Sequence, residues 1–119
     1  MTYALLIYRS MPPSETLSEK EERAALAAHW ALQKKASGRR ELHAVARLDD
    51  PETARTVKWS EQGHDVTDGP FVETKEWLVG FYVVDCKTEE EALERGRTIC
   101  KDRHHVIEVR PVTWKWNGP

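Results

Sequence analysis

Cysteine is nearly missing from this chain: Cys86 and Cys100 are the two thiols among 119 residues, and no C-x-x-C spacing occurs. That scarcity excludes a disulfide framework and a cysteine-rich metal site. Two free, buried thiols are expected, with a bond between them the lesser alternative. No apolar run approaches the ~18 residues of a membrane helix. The opening Met1-Thr2-Tyr3-Ala4-Leu5-Leu6-Ile7-Tyr8-Arg9 lacks the basic stretch and apolar length of a secretory signal, so the cytoplasm is the expected location. Neither sign of charge dominates: 18 Lys and Arg face 20 Asp and Glu, for a net charge of −2. A near-neutral surface argues against nucleic acid or an anionic membrane as the main partner. Glycine-rich phosphate loops, a Ser nucleophile elbow, a Cys-His arrangement and H-x-x-x-H spacing are all missing, so no cofactor or metal is expected.

Large apolar side chains, by contrast, are present. Five Trp, three Tyr and two Phe give a chain of single-domain length enough to build a core without staples. Residues 3–8 are continuously apolar, as in a strand buried on both faces. Ser10 to Ser14, with Pro12 and Pro13, breaks regular structure. Ser18-Glu19-Lys20-Glu21 is a capping box that opens a helix running to about Ser37 and stopped by Gly38. At 100° per residue Ala25, Ala28, His29, Leu32 and Ala36 share one arc, which turns His29 toward the apolar side.

Residues 41–48 alternate as a strand closed by Asp49-Asp50-Pro51. A hairpin follows over 55–60 and 64–67, turning at Glu61-Gln62-Gly63. Residues 79–86 give the strongest later strand. Thr88-Glu89-Glu90-Glu91 reads as a second capping box, before a helix with Ala92, Leu93, Gly96, Ile99 and Cys100 on one face. Residues 106–112 alternate as the last strand.

The order β-α-β, hairpin, β-α-β is the ferredoxin-like α+β pattern βαββαβ with an inserted hairpin, filling residues 1–119 as one domain. Helices on one face leave the other face of the sheet bare. Tyr8, Trp59, Tyr82, Trp114 and Trp116 are read as surplus apolar area, and a second copy would cover it, so a homodimer is expected.

Asp68-Gly69-Pro70-Phe71 is read as a tight turn, with Gly69 at positive φ and Phe71 as its anchor. The string VTDGPFVETKEWLVGFYVVDC, the opening YALLIY and the closing IEVRPV resemble the DGPF-domain subgroup of the YCII-related family along essentially the whole chain. That resemblance implies a ferredoxin-like subunit pairing into a dimeric α/β barrel. It also implies an enzymatic role for a histidine on the first helix and an aspartate before the central strand, here His29 and Asp68. Many DGPF-type sequences lack that histidine, and the run Arg39-Arg40-Glu41-Leu42-His43 stands where the family carries small residues. One branch of the family is similar to a dehydrochlorinase acting on a chlorinated hydroquinone. Other members lie beside sigma-factor-like regulators.

Two readings follow. In the first, His29 oriented by Asp68 is an acid/base pair in a cofactor-independent enzyme of lyase or hydrolase type. Arg47 or Arg110 would hold an anionic small-molecule substrate, with Tyr82 and Phe71 on the walls. In the second, the chain is a non-catalytic ligand-sensing or partner-binding module tied to transcription regulation. A haem or oxygen chemistry rests on fold analogy alone. His104-His105 invites a metal, but neighbours along a strand point to opposite faces and do not share an ion. His43 and His64 read as surface residues.

Overall fold

A computed structural model describes residues 1–10, 15–71 and 76–116. The break expected at Met11–Ser14 and the Val72–Lys75 half of the DGPF-like string lie outside the described residues. Among the described residues, six strands and two helices follow in the order β1 (Thr2–Arg9), α1 (Glu19–Gly38), β2 (Leu42–Arg47), β3 (Arg55–Ser60), β4 (Gly63–Asp68), β5 (Trp77–Asp85), α2 (Glu89–Ile99) and β6 (His105–Pro111), with a 3-10 turn at Pro51–Thr53. Four strands form an antiparallel sheet in the order β2-β5-β1-β6, while β3 and β4 pair with each other in a separate two-stranded sheet. The mixed α+β arrangement is consistent with a ferredoxin-like fold.

β1 is a central strand because its unbroken apolar run is paired on both sides, by β5 and β6. Tyr3, Leu5, Ile7, Tyr82 and Val84 send their side chains to one face, where Leu32 and Ala36 of α1 and Ala92 and Ile99 of α2 close over them. Burying each of the larger of these side chains contributes roughly 1.5–3 kcal/mol. Gly80 sits where β2 comes closest: a Cβ there would lie 2.8 Å from the Ala46 carbonyl oxygen, so the strand pair needs glycine at this position.

α1 begins as its sequence dictates. Ser18 accepts from the Glu21 amide at 3.1 Å and the Glu21 carboxylate accepts from the Ser18 amide at 3.1 Å, which satisfies two of the orphan donors at the helix start. The hydrogen bonds from Ser18 hold the Glu21 carboxyl below its usual range. The end differs from expectation. Gly38 is the last helical residue, and Arg40 is the one at positive φ, 58°. Glu41 N–H reaches back to the Ala36 carbonyl at 2.8 Å, a Schellman-type closure that pins Arg40 in the left-handed region. A side chain there is strained, so Arg40→Gly is expected to raise stability by about 0.5–1 kcal/mol, measured by urea denaturation against wild type.

α2 also departs from its sequence reading. Thr88 caps Glu91 N–H at 3.1 Å, but the Glu91 carboxylate turns to Arg95 instead, 3.4 Å away. Arg95 is buried on the inner face, whereas Cys100 is exposed. Cys100 is the C-cap residue with non-helical φ and ψ, so the helical arc that would bury it has ended. Cys86 is buried as expected, and both thiols are free.

Candidate functional site

Tyr82 is drawn inward, not outward as the surplus-aromatic reading had it. It is 1% exposed, on the helix-facing side of β5. The placement follows from strand alternation, since Tyr82 and Val84 share the side opposite Phe81 and Val83. Its hydroxyl needs partners at that depth and finds two on α1: the His29 Nδ1 at 2.7 Å and Gln33 Nε2 at 3.1 Å. Residues 29 and 33 are one helical turn apart and so project together onto β5. The His29 and Tyr82 rings are within 2° of parallel with centroids 5.7 Å apart, which places the imidazole nearly in line with the phenol.

Hydrogen counting favours one tautomer. Gln33 Nε2 can only donate, so the Tyr82 hydroxyl accepts from it, and His29 Nδ1 is the partner described within reach of the hydroxyl's own proton. His29 is then a neutral imidazole with its proton on Nε2. Burial, and then the charge of nearby His105, lower the His29 pKa and favour this neutral form. Burial likewise raises the Tyr82 pKa, so the phenol keeps its proton.

His105, which the sequence offers only as half of a His104-His105 pair unsuited to a metal, has a carboxylate partner of its own. It opens β6, and Ile107 and Val109 on the same face lie against Gly96 of α2, so the His105 side is the helix side. Its Nδ1 stands 2.9 and 3.0 Å from the two carboxylate oxygens of Asp102. Both side chains are largely buried, 17% and 9% exposed. Burial pushes the Asp102 carboxyl up, but hydrogen bonds from the His105 ring and the His104 amide outweigh it and hold the pKa below the usual range. The i,i+3 spacing of Asp102 and His105 was the signal in the sequence. It lay in a turn, outside both helix and strand patterns.

The other expected site residues are scattered. Asp68 ends β4 with its side chain 92% exposed, 3.3 Å from Arg55 Nε. No described hydrogen bond or ion pair joins it to His29. The turn itself has the geometry expected of it: Gly69 has φ 94°, its N–H reaches the Ala54 carbonyl at 2.7 Å, and its carbonyl accepts from the Thr56 hydroxyl at 2.8 Å. Phe71 is an exposed residue and not an anchor, with Lys58 Nζ 5.1 Å above its ring. Arg47 and Arg110 are exposed on β2 and β6, the opposite edges of the sheet. Glu41 is bound by Arg95 at 2.7 Å. His43 binds Asp85 at 2.8 Å. His64 is exposed on β4, and no metal-binding group of three or more His, Cys, Asp or Glu occurs among the described residues.

A cavity of about 400 Å³ lies elsewhere, lined by Tyr8, Asp49, Asp50, Pro70, Trp77 and Leu78 among others. The described residues contain no helix long and apolar enough to cross a membrane.

Residues 1–117 match the model of the YCII-related domain. The chain is also 36% identical over 114 residues to an uncharacterized protein of Rhizobium meliloti (strain 1021), covering 94% of this chain and 92% of that one.

Proposed function

The chain belongs to the YCII-related family, and from that premise we propose that it is a small-molecule-binding protein of the DGPF type, acting as a cofactor-independent acid/base enzyme. The observation that carries the reading is His29, held at Nδ1 by Tyr82, whose hydroxyl is in turn bonded by Gln33, with no described hydrogen bond at Nε2. Structural histidines in cores are ordinarily satisfied on both nitrogens. Here one nitrogen is fixed by a buried phenol while the other carries an unspent donor. Within one subunit the proposal rests on His29, Tyr82 and Gln33, and Asp68 is assigned no share in orienting the ring.

The reaction class that suits such a site is elimination on a hydroxylated aromatic. Loss of HCl from 2-chlorohydroquinone illustrates the balance. The ring carbon bearing chlorine gains a proton, both hydroxyl protons are removed, and chloride departs with the C–Cl electron pair, leaving benzoquinone and, in net, HCl. One of the two protons taken from oxygen is returned to carbon and the other goes to water, and no electrons enter or leave from outside. Chloride and quinone release from 2-chlorohydroquinone tests this. Wild type is expected to turn over, and His29→Gln to lose about a hundredfold or more in rate. Equal rates in wild type, His29→Gln and buffer would sink the enzymatic reading. Saturable binding of 2-chlorohydroquinone without turnover would favour the ligand-sensing alternative.

We also propose a homodimer closed face to face into an α/β barrel, in the cytoplasm. Helices cover one face of the four-stranded sheet, and Trp59, Trp114 and Trp116 remain 75, 79 and 74% exposed. A second copy would take such area out of water at about 25 cal/mol per Å². Light scattering at micromolar concentration is expected to give twice the 13.7 kDa chain mass, and a monomer would refute the pairing.

A further inference from the structure

We propose that the cavity between α1 and α2 binds a small zwitterion of the α-amino acid class. Glu91 on α2 receives its ammonium, and Lys35 and Arg39 on α1 receive its carboxylate. The site is separate from the acid/base reading above and does not rest on it, since none of His29, Gln33 and Tyr82 lines it. The cavity measures about 290 Å³. That is the small end of the roughly 300–1,000 Å³ of ligand cavities, and it suits an amino acid better than a dinucleotide or a haem.

The two walls carry opposite charges that the protein leaves unspent. Lys35 and Arg39 are one helical turn apart and so share a face of α1. No hydrogen bond or ion pair is described for the ammonium of the first or the guanidinium of the second. On the α2 wall, Glu94 is already engaged, its Oε2 2.9 Å from Arg97 Nη1. Glu91 is not, since neither oxygen of its carboxylate accepts a described hydrogen bond. Its Oε1 is shut from solvent 3.4 Å from Arg95 Nη2, and that nitrogen donates to Glu41 at 2.7 Å. Oε2 is not among the buried unpaired atoms, so it is the oxygen open to a ligand. Among the described residues no ion pair joins α1 to α2.

Opposite charges that line one cavity without touching leave a gap that a ligand carrying both signs can close. A partly buried carboxylate without a hydrogen bond is an exception, and an ammonium brings three donors to it. The ligand's own carboxylate meets the planar fork of Arg39 and the point charge of Lys35. A simple anion would gain those two cations but face the like charge of Glu91. A simple amine would gain Glu91 but face Lys35 and Arg39. The zwitterion alone satisfies both walls. Leu32, 5% exposed, lines the same cavity and offers apolar surface to an aliphatic side chain. Leucine combines these features.

Calorimetric titration of the full chain near neutral pH tests this with three probes: L-leucine, N-acetyl-L-leucine, which lacks the ammonium, and L-leucinamide, which lacks the carboxylate. L-Leucine is expected to bind saturably with a Kd of about 1 mM or below, and each derivative about tenfold more weakly. The paired change Lys35→Ser, Arg39→Ser and the single change Glu91→Gln should each weaken L-leucine binding about tenfold. Lys35 and Arg39 are exposed, so their loss leaves the core intact. Should Glu91→Gln fail to fold, the three probes and the Lys35, Arg39 variant still decide. Backbone amide shifts on adding L-leucine should fall on residues 31–39 and 91–98. No saturable binding of L-leucine, equal binding of the three probes, or amide shifts centred elsewhere would overturn the proposal. N-acetyl-L-leucine binding as well as L-leucine would also overturn it, by making the cavity a plain anion site.

Discussion

Arg95→Met is expected to lower the unfolding free energy by about 3–5 kcal/mol, as for removal of one partner from a buried ion pair. The guanidinium side chain is 8% exposed and sits under the start of the sheet. Its NH2 donates to Glu41 at 2.7 Å and lies 3.4 Å from Glu91, while NH1 donates to the Asp85 carbonyl at 2.8 Å and contacts the Cys86 sulfur at 3.5 Å. It thus ties α2 to the end of β5 and to the residue that precedes β2. Burial disfavours its charge, yet the contacts with Glu41, Cys86 and Glu91 more than offset this, and its pKa rises. Methionine would fill much of the volume and leave Glu41, 15% exposed, without its cation. The double variant Glu41→Leu, Arg95→Met is therefore expected to recover much of the loss, because the buried Glu41–Arg95 pair is removed together and only the partly exposed Glu91 is left without its cation. Urea unfolding of the three proteins measures both effects. A single variant within about 0.5 kcal/mol of wild type would mean that water reaches the pair.

Arg95 also marks a limit of what the sequence displays. Periodicity located α2 and its inner face, since Ala92, Gly96 and Ile99 are buried. An arginine on that arc was invisible to a hydrophobic pattern, because its burial depends on Glu41, more than fifty residues away in sequence. The same distinction runs through the candidate site. The helical arc correctly turned His29 inward, and alternation in β5 was enough to find a strand. Which side of that strand Tyr82 occupies depends on the register with β1, where it lies opposite Leu5, and no local pattern carries that. The Asp102–His105 contact is local in sequence but lies in an irregular turn, where neither period applies. Asp68 drew attention through its motif, yet it stands at the open end of a hairpin whose strands pair only with each other among the described residues, and its side chain faces Arg55.

Tyr82→Phe is expected to have the second large effect, and it should register in stability, in the His29 pKa and in activity. Losing the hydroxyl leaves the Gln33 amide without its acceptor and His29 Nδ1 without its donor, which costs about 1–3 kcal/mol for buried groups. Burial is the first cause of the lowered His29 pKa and persists in Tyr82→Phe, but a hydroxyl donating to Nδ1 also favours the neutral ring, so its loss should raise the pKa part of the way toward the ordinary 6.5. In wild type the folded-state pKa of His29 is depressed, so below pH 6.5 the unfolded chain binds this proton before the native protein does. His29 therefore contributes stability that is whole above pH 6.5 and is lost as pH falls from there through the folded-state pKa. Comparing unfolding free energies at pH 7.5 and 5.5, wild type should lose more than His29→Gln, with the other titrating groups common to both proteins. Tyr82→Phe should fall between them. On 2-chlorohydroquinone, Tyr82→Phe is expected to cost about tenfold, less than His29→Gln, because it frees the ring's orientation while the imidazole itself stays. A Tyr82→Phe protein with an unmoved His29 titration would show that the phenol does not set the tautomer, and the acid/base reading of His29 would lose its first support.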